Sequence, residues 1–380
     1  MQDAGLRIDI AVHVVDNFGD AGVAWRLARQ LAHEHGAMVT LWIDAPHVLA
    51  RFVPGAAEGA SAAGVRVRKL TGDTLPDPLP QVLVEAFGGG VPNAWPDAIE
   101  TAPAPPVWIN VEYLSAEDWV DRAHGLPSPH PVRRILRWFF VPGFTRCTGG
   151  LLRERDLFAR RDAFLCAPAP RAQPWREAGL PAPPDDALAV ALFCYPSPAL
   201  AGLFAAWSRA ARRIAVLVPE GVAVDAVTAF AGRPLAAGTM HAADALTLAV
   251  APFVDQDAFD RRLWASDFAL VRGEDSFVRA QWAARPFAWH VYPQDDAAHG
   301  AKLDAFLARY AAGLAPAAAG ALAGFTHAFV GGDGQAMPAR WDALHAQLPR
   351  LAAHAREWAG SLATLPDLAT QLVDFARSKL

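Results

Sequence analysis

Two carboxylates four positions apart, Asp16 and Asp20, stand in the stretch Asp16-Asn17-Phe18-Gly19-Asp20-Ala21-Gly22, directly after an apolar run. A dinucleotide fingerprint at this place needs G-x-G-x-x-G. Only Gly19 and Gly22 fit, Asn17 holds the first glycine position, and the two aspartates would repel a pyrophosphate. Carboxylates here suit a positively charged or proton-losing acceptor instead. The plainer alternative is that Asp16 or Asp20 caps the helix that follows.

A second stretch, Arg272-Gly273-Glu274-Asp275-Ser276, joins the apolar run 267–271 to a segment with helical spacing (Phe277, Ala280, Gln281, Ala284), and a further apolar run, 287–292, comes after Arg285-Pro286. Strand, tight loop, helix and strand make one βαβ unit. Its loop lies at the carboxyl end of a strand, where the N–H groups at a helix start bind phosphates in parallel sheets. Arg272 adds a planar fork of donors suited to phosphate oxygens. Glu274 and Asp275 could accept hydrogen bonds from sugar hydroxyls, so the loop suits a nucleotide sugar. The alternative is that Asp275 or Ser276 is a helix cap and Arg272 a solvated charge.

These stretches need a scaffold of strands with helical crossovers, and the chain offers two series. Residues 7–15 predict a buried strand and 23–35 an amphipathic helix stopped by Gly36; further strands are expected at 38–44, 65–70, 81–87 and 106–113. Prolines crowd the stretch between Cys166 and Asp186, which reads as a linker. A fresh series follows, with strands at 187–195, 213–219 and 246–252 and helices at 198–211 and 259–265. The expected division is an N-terminal Rossmann-like domain (1–170), a linker (171–186), a C-terminal Rossmann-like domain (187–355) and a helical tail (356–380) packing back on the first domain. This is the α/β GT-B arrangement of nucleotide-sugar glycosyltransferases, two Rossmann-like domains facing across a cleft.

Bulk composition narrows the partners. The 380 residues are 53% hydrophobic, enough for two cores. Net charge is −5 and the basic residues are scattered, which argues against nucleic acid or an anionic membrane as partner. The charged N-terminus does not read as a signal peptide and no apolar run reaches 18 residues, so the expected location is the cytoplasm. Three distant cysteines fit neither a disulfide framework nor a zinc knuckle. Asp255-Gln256-Asp257 has the DxD form of a metal site but precedes a helix, so capping is the expected role. No histidine set has ligand spacing, and no metal or cofactor is expected.

With these motifs in hand, the chain resembles the EarP family, the protein-arginine rhamnosyltransferases of bacterial elongation factor P. The likeness rests on Val14 to Leu31 around Asp16 and Asp20, on Pro252-Phe253 to Asp260, on Arg272 to Trp282, and on Trp289-His290, Tyr292, Pro293 and Gln294. It implies an inverting, metal-independent enzyme that moves rhamnose from dTDP-β-L-rhamnose to one arginine side chain of elongation factor P, activating it for ribosomes stalled at polyproline. By the same resemblance, Asp16, Asp20 and Glu274 match catalytic acids. Phe193, Tyr195, Phe253, Gln256, Arg272, Asp275, Ser276 and Tyr292 match the donor pocket, and Asn17, Phe18 and Gly19 join the substrate-binding residues.

The chemistry of that assignment is coherent. A guanidinium pKa lies above about 12, so an aspartate near 4 cannot deprotonate it at rest. A carboxylate can orient it and accept the proton as the C–N bond forms, a role expected of Asp20, with Asp16 holding the guanidinium or the loop. Arg272, Ser276 and the adjacent helix start would stabilise the leaving diphosphate, and Phe193, Tyr195 and Phe253 would pack on thymine or the rhamnose methyl. Two other readings stay open: a nucleotide-sugar enzyme with a small cationic acceptor, and a non-catalytic nucleotide-sugar-binding partner of a translation factor.

Overall fold

The apolar run after Arg7 forms β1 (Arg7–Val12), whose Ile8, Ile10 and Val12 are fully buried on one face. The opposite face carries Ala11 into a cluster with Trp42, Trp95 and Trp108. Burial on both faces is what a central strand of a parallel sheet requires. The computed structural model describes residues 5–16, 18–293 and 298–380.

The chain divides into two units, 1–155 with 363–380, and 156–362. In the first unit β1 is joined by β2 (Met38–Ile43), β3 (Ser61–Ala62), β4 (Val65–Lys69), β5 (Val82–Ala86), β6 (Val107–Val111), β7 (Pro127–Pro129) and β8 (Leu136–Phe140). Their order is β3-β4-β2-β1-β5-β6-β8-β7. The inner six strands are parallel and the short edge strands β3 and β7 antiparallel. The last helix, Leu368–Arg377, belongs to this unit: Leu368 N–H donates to Leu151 O at 3.0 Å, and Gln30 Nε2 on the first helix donates to Asp367 Oδ1 at 3.0 Å.

The second unit is a six-stranded sheet of β9 (Leu188–Leu192), β10 (Ile214–Pro219), β11 (Thr239–Ala243), β12 (Leu246–Ala251), β13 (Phe268–Arg272) and β14 (Phe287–His290). The order is β11-β12-β10-β9-β13-β14, with only β11 antiparallel. Arg279, on the helix between β13 and β14, meets Asp260 at 2.6 Å with both side chains 1% exposed. Both charges are buried, so neither could be removed without stranding the other.

The first helix and the proline-rich segment differ from the sequence expectation. The first helix runs Phe18–His35, so the stretch read as a loop is largely its first turn. The proline-rich segment 171–186 lies within the second unit and carries a short helix, Gln173–Glu177. There Pro174 sits in the first turn, where its missing N–H costs nothing, and Trp175 packs with Ala187, Ala215 and Leu217.

Candidate active site

In the first unit the chain leaves β1 and turns into the first helix through residues 13–16, whose backbone is held by two carboxylates. Asp44 Oδ1 accepts from Val14 N–H at 3.0 Å, and Asp20 Oδ2 accepts from Val15 and Asp16 N–H at 2.8 Å each. Asp20, 3% exposed, therefore reaches back from the helix's first turn to the turn before it. Its other oxygen, Oδ1, accepts from the Tyr113 hydroxyl at 3.2 Å. Tyr113 follows the end of β6, and its ring stacks on Phe87 with centroids 4.5 Å apart and planes 10° apart. Neighbouring Glu112 is partly buried, and loss of solvent raises its carboxyl pKa against the opposing hydrogen bond from Asn110.

Asp16 is partly exposed and lies over Gly19. A Cβ at Gly19 would stand 2.6 Å from Asp16 Oδ2, so glycine leaves the space that the carboxylate fills. Phe18 packs edge-on against Phe52 and under Arg51. Asn17 lies outside the described residues. The groove lined by Arg7, Asp9, Trp42, Arg66 and Arg68 in this unit includes neither Asp16 nor Asp20.

In the second unit four strand ends converge. Beyond β9 come Phe193 and Tyr195; beyond β12, Phe253; at the end of β13, Arg272; beyond β14, Tyr292. The Arg272 guanidinium lies 4.5 Å from the Phe193 ring centroid and 4.8 Å from that of Tyr195, and donates to Cys194 O at 3.3 Å. It is therefore a cation held by two aromatic rings rather than the solvated charge of the plainer reading. Phe259 packs against Phe193 at 5.1 Å, and Tyr292, 40% exposed, stands edge-on to Tyr195 at 5.5 Å. Burial pushes the Cys194 thiol up to about 12, so it stays protonated.

The loop after β13 turns through Gly273 at a φ of +60°, and Trp289 Nε1 donates to Gly273 O at 2.8 Å. The helix Asp275–Ala283 starts with Glu274 at its N-cap position and no side-chain cap bond, so neither Asp275 nor Ser276 is the cap. The first-turn N–H groups of such a helix have no intrahelical acceptor. Ser276 Oγ accepts from Arg272 N–H at 3.0 Å and donates to Arg272 O. The hydroxyl thus closes the turn, a use the sequence reading did not anticipate. Gln256 Nε2 donates to Asp275 Oδ2 at 3.1 Å, which ties the two helix starts together. Asp255 is the N-cap of the helix Gln256–Trp264, accepting from Ala258 N–H at 2.7 Å, as capping predicted, while Asp257 accepts from Arg160 at 3.3 Å. Among the described residues no group of three or more His, Cys, Asp or Glu is arranged to hold a metal.

Sequence reasoning did not single out Tyr113, which bonds Asp20, Phe259, which packs on Phe193, or His290, which stands edge-on to Tyr195 at 5.3 Å. Tyr113 stands 93 residues from Asp20, and nothing in local spacing connects them. Phe259 had a signal, being the first aromatic on the helix that follows Phe253.

Residues 8–377 match the family profile described as "Elongation-Factor P (EF-P) rhamnosyltransferase EarP". The chain is 46% identical over 378 residues to a protein-arginine rhamnosyltransferase of Pseudomonas putida, covering 98% of this chain and 99% of the relative. It is 43% identical to one of Pseudomonas aeruginosa over 97% of this chain and 98% of that one. A solved structure described as "Structural basis for EarP-mediated arginine glycosylation of translation elongation factor EF-P" superposes with a TM-score of 0.71 at 35% identity, covering 99% of this chain and 100% of that one. MurG of Acinetobacter baumannii shares the fold alone, at a TM-score of 0.51 and 13% identity over 98% and 99% of the two chains. The architecture is GT-B, and the chain belongs to the EarP family of elongation-factor P rhamnosyltransferases.

Proposed function

We propose that the chain transfers rhamnose from dTDP-β-L-rhamnose to an arginine side chain of elongation factor P, in the cytoplasm. The end-to-end match to the family, from residue 8 to 377, carries this reading. A guanidino nitrogen attacks the anomeric carbon, the bond from that carbon to the diphosphate oxygen breaks, and dTDP leaves with the electron pair. The proton released from nitrogen passes to Asp20. The geometry in unit 1 supports that role, because Asp20 Oδ2 is committed to backbone N–H groups while Oδ1, among the described residues, meets a hydroxyl donor that can swing aside. Asp16, over Gly19, orients the guanidinium, with Asn17, Phe18 and Gly19 shaping its surroundings.

On the donor side, Arg272 and the start of the helix Asp275–Ala283 stabilise the diphosphate. Phe193, Tyr195, Phe253 and Tyr292 pack on thymine and the sugar, Gln256 and Asp275 bond the nucleoside sugar, and Glu274 acts as the third acid. Ser276 contributes by holding the Arg272 turn. Incubation with dTDP-rhamnose and elongation factor P, read by intact mass over time, should add one deoxyhexose to the factor, and Asp20→Asn should slow the gain about a hundredfold or more. No gain with active reagents would defeat the reading; a gain at the parent rate with Asp20→Asn would defeat only its base.

A further inference from the structure

His290 ends β14 in register with Arg272 at the end of β13. Its ring is 3% exposed, edge-on to Tyr195 at 5.3 Å on one side and to Phe329 at 5.1 Å on the other. Tyr195 in turn covers the Arg272 guanidinium, so Arg272, Tyr195 and His290 form one packed row. Within that row the imidazole Nδ1 is buried with no hydrogen-bond partner among the described residues. Buried polar atoms are nearly always paired, and an unpaired one costs stability, so its retention calls for a cause. Phenylalanine would fill the same space between two aromatic rings without that cost. Unpaired buried atoms occur elsewhere in the chain, such as Trp207 Nε1 and Ser208 Oγ, and this one is set apart by its place in the row with Arg272 and Tyr195, since rules of stability are characteristically broken at binding sites.

We propose that His290 is a donor-site residue whose Nδ1–H takes its partner from a diphosphate oxygen of the bound nucleotide sugar. This rests on the donor site proposed above. Phosphate oxygens only accept, which assigns the proton to Nδ1 in the neutral ring. Burial, with the Arg272 charge adding to it, depresses the imidazole pKa to about 4, so the ring is uncharged at neutral pH and does not repel Arg272. Tyr292, 40% exposed and edge-on to Tyr195, is the most open ring of the group, and Nδ1, sealed in this structure, reaches the donor when the rings of the row part.

The test is His290→Phe in the full chain, with Arg272→Ala beside it, measuring dTDP-rhamnose affinity by calorimetry and stability by thermal unfolding. A binding role predicts opposite signs: the Phe variant melts at or above the parent temperature yet binds the donor about tenfold more weakly, the loss of one hydrogen bond to a charged acceptor. A Phe variant of equal or greater stability with unchanged donor affinity overturns the proposal, because the ring is then only packing. If instead it unfolds early, His290→Gln, which keeps a side-chain N–H, must bind the donor better than His290→Leu of matched stability; equal affinities overturn the proposal. Should Arg272→Ala bind the donor as well as the parent, the donor site itself is wrong; should it lose affinity while His290→Phe does not, only the role of His290 fails.

Discussion

The Tyr113 hydroxyl donates to Asp20 Oδ1 at 3.2 Å, across 93 residues of sequence, while Asp20 Oδ2 holds the N–H groups of Val15 and Asp16. One carboxylate therefore has a structural oxygen and a second whose partner is a rotatable hydroxyl. Tyr113→Phe should keep the ring stack on Phe87 and the fold, and lower kcat about tenfold with the donor KM unchanged, as loss of a group orienting a general base does. Asp20→Asn should keep the backbone ties through its carbonyl oxygen and lose about a hundredfold or more of kcat. Equal kcat for parent and Tyr113→Phe would separate Tyr113 from the reaction.

Gly19 offers a test confined to Asp16. A methyl at Gly19 would meet the end of the Asp16 side chain, a movable group, rather than backbone. Gly19→Ala should leave the melting temperature within a few degrees, since alanine also favours the helix by about 0.5–1 kcal/mol, while displacing the carboxylate and lowering kcat/KM for the protein acceptor. Unchanged acceptor kinetics would show that the position of Asp16 does not matter.

Asp9 gives a pH prediction away from the proposed chemistry. Burial raises its carboxyl from 3.8 to about 6, against a hydrogen bond from Trp42 Nε1 at 2.8 Å. A raised native pKa means that the folded chain binds the proton more tightly. Stability from this group is thus full below about pH 4 and lost as pH rises through 6, a penalty of about 2–3 kcal/mol at pH 8. Asp9→Asn keeps an acceptor for Trp42 and should raise the melting temperature at pH 8, with the gain fading as pH approaches 4. A gain of equal size at pH 4 and pH 8 would contradict the burial of a titrating carboxyl.

The doubly wound sheets were legible because strands buried on both faces read as continuous apolar runs, as in 8–12 and 268–271. The first helix was read five residues short, since Phe18 to Gly22 includes two glycines and an aspartate, poor helix formers on local propensity. Its start is set by the Asp20 side chain reaching back to the preceding turn, a contact that propensity does not contain. Proline density suggested a linker at 171–186, yet proline in a first helical turn is compatible with packing, and Trp175 supplies the apolar anchor.

By itself the sequence determined the alternation of strands and helices, the family, and the two stretches bearing Asp16, Asp20 and Arg272, because each is a pattern within a few neighbouring residues. Only the tertiary structure decided that Tyr113 bonds Asp20, that Phe193 and Tyr195 bracket Arg272, that the Ser276 hydroxyl closes a turn, and that His290 Nδ1 is buried with no partner among the described residues. Those contacts depend on which strands lie side by side and where each one ends. Sheet order brings distant residues together at strand ends, and local residue spacing carries no record of that order.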